Sequence, residues 1–140
     1  MSDYLKQKNK KNNIKLQNLL KELPPFCDEF FLGIEQTTTI LTRINYAYDL
    51  KVFFYFLINE LENFKNLSIY ELKISDLDNI ISSDIEYFLK YLSYFKYYDK
   101  ECINSEKAKA RKLSAVRRMF QYFFYKNEIK ANMKWNMVIN

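Results

Sequence analysis

Lys107-Ala108-Lys109-Ala110-Arg111-Lys112-Leu113-Ser114-Ala115-Val116-Arg117-Arg118-Met119-Phe120-Gln121 separates its basic residues from its apolar ones by the helical period. At about 100° per residue, Lys107, Arg111, Ser114, Arg118 and Gln121 fall in one narrow arc, and Leu113, Val116, Phe120 and Phe123 lie opposite. The spacing predicts an amphipathic helix from about Glu106 to Lys126, with one edge in a core and the other open to phosphate and bases. Ala108, Ala110 and Ala115 beside the arc would let a backbone come close to a groove, and Lys109, Lys112 and Arg117 flank it.

Working outward, the chain has few helix breakers, with one Gly (Gly33) and the adjacent Pro24 and Pro25. Residues 1–13 read as a flexible basic leader, and Ile14, Leu16, Leu19, Leu20 and Leu23 predict a first short helix that Pro24 stops. Pro25 opens a second short helix that turns Phe26, Phe30 and Phe31 inward and ends at Gly33. The strongest pattern follows: Thr39 or Thr42 caps a helix along which Ile44, Ala47, Leu50, Phe54, Leu57 and Leu61 step by three and four.

Residues 63–81 read as a long connection plugged into the core by Leu67, Ile69, Leu72, Ile74 and Leu77. Their alternation resembles a strand, but no compatible second strand is evident. Ser83 and Glu86 form a capping-box signature ahead of Ile85, Phe88, Leu89, Leu92 and Phe95. A polar hinge over residues 99–105 then leads into the basic helix. The expected fold class is all-α, four main helices joined antiparallel or as a four-helix orthogonal bundle, with short accessory helices, spanning residues 14–128.

The 140 residues suit one domain, and the 49% hydrophobic content with twelve Phe and twelve Tyr suits a packed core. The net charge of +5 is unevenly placed: residues 1–19 carry +4, residues 20–99 −6, residues 100–118 +5 and residues 119–140 +2. An acidic body with basic extremities predicts a directed electrostatic face. Cys27 and Cys102 read as reduced thiols of a cytoplasmic protein, Cys27 as a packed small hydrophobe. No apolar run reaches the length of a membrane span.

The chain contains no His, which excludes Ser-His and Cys-His nucleophiles within it. Asp76 with Asp78, and Asp84 with Glu86, are spaced poorly for a metal, and no glycine-rich loop cradles a nucleotide. Neither metal nor cofactor is expected. The tyrosines mostly lie beside core positions, where packing with the hydroxyl at the rim explains them. A second polar cluster stands at the start of the long central helix, where Thr42, Arg43 and Asn45 lie near free backbone donors.

At these two places the chain resembles a known family. Thr42-Arg43-Ile44-Asn45-Tyr46-Ala47-Tyr48-Asp49-Leu50, followed by Phe53-Phe54-Tyr55-Phe56-Leu57, is similar to the opening of the N-terminal core-binding domain of tyrosine recombinases, the phage integrase and Xer-like enzymes. Residues 110–123 resemble that domain's last long helix, and residues 84–92 its middle one. In this order the matches cover about residues 16–132.

The resemblance implies a SAM-like bundle that forms half of a clamp around double-stranded DNA. Its DNA face would comprise Thr42, Arg43 and Asn45 on one helix, and Lys107, Arg111, Lys112, Ser114 and Arg118 on the other, to which the helical spacing adds Lys109 as a flanking phosphate contact. Other recombinase protomers on the DNA would be further partners. The family's catalytic half needs a His-x-x-Arg element and a tyrosine nucleophile in a cationic cluster, which this chain does not supply. The expectation is therefore a DNA-binding module rather than an enzyme, a monomer in solution, with residues 129–140 beginning an interdomain linker. The alternative is a helical protein-interaction domain whose basic face docks an acidic partner.

Overall fold

The computed structural model describes residues 3–130. Its α-helices are α1 (Asp3–Leu20), α2 (Cys27–Gly33), α3 (Ile40–Glu60), α4 (Ser82–Tyr91) and α5 (Glu106–Tyr125), with 3-10 turns at Glu35–Thr37, Ile69–Glu71 and Ile74–Asn79. Between α4 and α5, β1 (Phe95–Tyr97) and β2 (Lys100–Cys102) pair antiparallel, Lys96 opposite Glu101. This corrects the expected four-helix, all-α SAM-like bundle: the described chain has five α-helices and a β-hairpin.

The hairpin occupies residues expected to be the end of an apolar helical stripe and a polar hinge. Tyr98 and Asp99 both take positive φ, 49° and 67°, as the central pair of a two-residue turn. That left-handed pair matches the twist of the flanking strands. No Asn-Gly or Asp-Gly signal advertises it. Tertiary contacts hold it instead: the Tyr98 amide donates to the Tyr55 hydroxyl at 3.2 Å, and Phe95 stacks on Tyr91 with ring centroids 4.7 Å apart. Asn104 closes its base, donating from both backbone and side-chain nitrogens to the Leu92 carbonyl.

Helix ends follow local chemistry. Thr39 caps α3 by accepting from the Thr42 amide at 3.1 Å, and Ser105 caps α5 by accepting from the Ala108 amide. The α4 cap differs from expectation: the Asp84 carboxylate accepts from the Ile81 amide at 3.0 Å, two residues earlier than a Ser83–Glu86 box would lie. Asn127, at φ 60°, ends α5 while the Glu128 amide reaches back to the Phe123 carbonyl and the Asn127 amide to Phe124. This double back-bond satisfies carbonyls that the helix end would orphan. The first helix, expected to begin near Ile14, extends back to Asp3.

The core lies where α3 is flanked by α1 on one side and α5 on another, with α2 against α5. Leu50, Phe54 and Leu57 of α3 are buried with Leu113, Val116, Phe120 and Phe123 of α5, as their spacing predicts, and Phe53 and Phe56, outside the predicted stripe, are buried as well. Aromatic edges meet aromatic faces throughout: Phe53 and Phe88 are 5.2 Å apart at 79°, and Phe26 and Phe123 are 5.7 Å apart at 74°. Such pairs add directional preference to apolar burial. Leu72 and Leu77 of the long connection are buried without any strand forming there.

Candidate nucleic-acid interface

The basic edge of α5 is fixed to α3 through Asp49. Arg111 Nη2 lies 3.4 Å from Asp49 Oδ1, and Lys112 Nζ lies 3.8 Å from the same oxygen. The Arg111 side chain is 62% exposed and that of Asp49 only 4%. An inward carboxylate thus orients an outward guanidinium. Burial pushes the Asp49 carboxyl above its ordinary value, although Arg111 and Lys112 pull it down. Burial likewise lowers Lys112, against the pull of Asp49. Asp49 Oδ2 is buried without a hydrogen-bond partner.

Helical geometry then sorts the α3 candidates. Thr42 and Asn45 stand seven and four residues before Asp49 and share its side of the helix. Asn45 is exposed and Thr42 half-buried, so both border the edge on which Arg111 lies. Arg43 points elsewhere. It is buried, and its Nη1 donates to the Glu35 carbonyl at 2.9 Å, the Thr38 carbonyl at 2.7 Å and the Thr38 hydroxyl at 3.1 Å. These charge-assisted bonds fasten the 3-10 turn to α3.

Along α5, Lys107 and Ser114 are exposed and Arg118 is half-buried at the same edge. Lys109 is half-buried and paired with Glu106 at 2.9 Å, one turn away. Lys112 is buried. The structure therefore brings Thr42, Asn45, Lys107, Arg111, Ser114 and Arg118 to one surface, while Arg43, Lys109 and Lys112 are engaged within the fold. Asp49 escaped the sequence reading as a site residue. Its signal was a carboxylate between the apolar positions Ala47 and Leu50, a placement that calls for a cationic partner.

Among the described residues, no three His, Cys, Asp or Glu side chains converge in a way that could hold a metal ion. No helix among them is long and apolar enough to cross a membrane. Both cysteines are free, Cys27 buried and Cys102 half-buried. No known family model matches the chain, and no curated protein or solved structure matches it either.

Proposed function

We propose that this chain is a duplex-DNA-binding module. The observation that carries the reading is the α5 edge, where Lys107, Arg111, Ser114 and Arg118 lie in one row and Arg111 is set by Asp49 beside Asn45 and Thr42 of α3. A rigid helix edge with cations, a hydroxyl and an amide supplies both phosphate neutralisation and groups that can meet base edges. Phosphate contacts dominate, so affinity falls steeply with salt.

The ordered resemblance of residues 42–57, 84–92 and 110–123 to tyrosine-recombinase core-binding domains supports a recombination half-site as the DNA. Other protomers of the same recombinase would then be neighbours, and strand breakage would be the work of residues outside this chain. The two free thiols and the absence of a membrane-spanning helix among the described residues support a cytoplasmic setting.

The test is fluorescence anisotropy with a duplex from the host element's terminal repeats and a scrambled duplex, at two salt concentrations. Tighter binding to the repeats with a steep salt slope is expected. No binding to either duplex at low salt, together with capture of an acidic helical peptide, would replace this reading with a protein-docking domain.

A further inference from the structure

Residues 3–15 form the exposed half of α1, and all five of its lysines are exposed. Tyr4, Lys8, Lys11 and Lys15 are spaced by four, three and four residues, which places them in one row along the helix. The row runs about 16 Å at 1.5 Å per residue. Its last member shows which way it faces: Lys15 Nζ lies over the ring of Tyr48 on α3, 5.5 Å from the centroid.

Tyr48 belongs to the open edge of α3, together with exposed Leu41 and Asn45. On the far side of that edge, Asp49 meets Arg111 of α5. The uncharged strip Leu41–Asn45–Tyr48 is therefore bordered by two cationic rows, Lys8/Lys11/Lys15 on α1 and Lys107/Arg111/Arg118 on α5. Packed helices lie about 8–10 Å apart, so two helices flanking a third stand at most about 20 Å from each other. That span is comparable to a major groove about 12 Å wide with its two phosphate rims.

We infer that the α1 row is the second rail of the DNA surface: the α3 strip faces the groove, α5 contacts the phosphates of one strand, and α1 those of the other. The inference rests on the proposed DNA-binding function and extends the site to a helix that neither the residue patterns nor the family resemblance assigned to it. The single cation–π contact at Lys15 is a weak, exposed tie that a phosphate can replace. Lys6 and Lys10 stand on the opposite flank of α1, toward Asn13 and Gln17, which border the same cleft as Asp28 and Glu35. They lie outside the rail.

The experiment compares the whole chain with two variants, Lys8→Gln/Lys11→Gln/Lys15→Gln and Lys6→Gln/Lys10→Gln. Each is titrated with a mixed-sequence 20-base-pair duplex over a salt series, with circular dichroism to check helix content. The triple variant is expected to lower the slope of log affinity against log salt by about 2 to 3, at roughly 0.9 per phosphate, alike on every sequence. The double variant is expected to change the slope by less than half as much. An unchanged slope in the triple variant while the parent chain still binds would overturn the second rail. So would an equal slope change per lysine in both variants, which means diffuse attraction. Failure of the parent chain to bind any duplex overturns the DNA reading itself, and the two failures are told apart by that control.

Discussion

Asp49 on α3 and Arg111 on α5, sixty-two residues apart in sequence, meet through a long 3.4 Å hydrogen bond in which the buried partner holds the exposed one. Because burial raises the Asp49 carboxyl, the folded protein retains a proton there at pH values where the unfolded chain has released it. Stability from this site is therefore greatest at low pH and is lost as pH rises from about 4 through the raised value. Arg111→Ala removes a cation that opposes the rise, so the Asp49 carboxyl should titrate higher still when followed by carboxyl-carbon NMR. A lower titration midpoint in the variant would show that Arg111 does not stabilise the charged form.

Arg43 and Lys107 should separate folding from binding. Arg43→Ala leaves two backbone carbonyls without their buried donor and should destabilise the chain by about 2 kcal/mol. Measured well below its melting temperature, it should keep the parent salt slope for DNA. Lys107→Ala should do the reverse, leaving the denaturation midpoint in place and reducing the slope by about 1.

Gly33 ends α2 against the ring of Tyr122, and a β-carbon added there would be driven into that ring. Its φ is not positive, so the close approach rather than backbone freedom requires glycine. Gly33→Ala should cost about 1–3 kcal/mol in urea unfolding. Most of that loss should disappear when Tyr122→Ala is the background, a coupling that a double-mutant cycle reads directly.

The two thiols should differ in reactivity. Cys27 is fully buried and burial pushes its thiol up, well above the ordinary range, whereas Cys102 is half-buried at the hairpin. A thiol reagent on the native chain should modify Cys102 alone, with Cys27 following only at the rate of unfolding. Mass spectrometry of the labelled peptides makes the comparison.

Sequence alone determined the helices whose apolar spacing is long and regular. The α3 pattern from Ile44 to Leu57 and the α5 pattern from Leu113 to Phe123 placed their buried faces correctly, because a repeat sustained over several turns leaves one orientation that buries it. The cap at Thr39 was equally local. The hairpin was not legible, because Tyr98 and Asp99 are held at positive φ by Tyr55 across the fold rather than by turn residues of their own.

The site divided in the same way. The row Lys107, Arg111, Ser114 and Arg118 follows from periodicity on one helix. Tertiary structure alone buried Lys112 beside Asp49 and laid Lys15 over Tyr48, while Arg43 turned inward to the Thr38 carbonyl five residues back, at the turn that precedes its helix. A helical period specifies which residues share a face. Which neighbour that face meets is decided by packing between elements distant in sequence, and that packing makes a cation either a strut of the fold or part of its open surface.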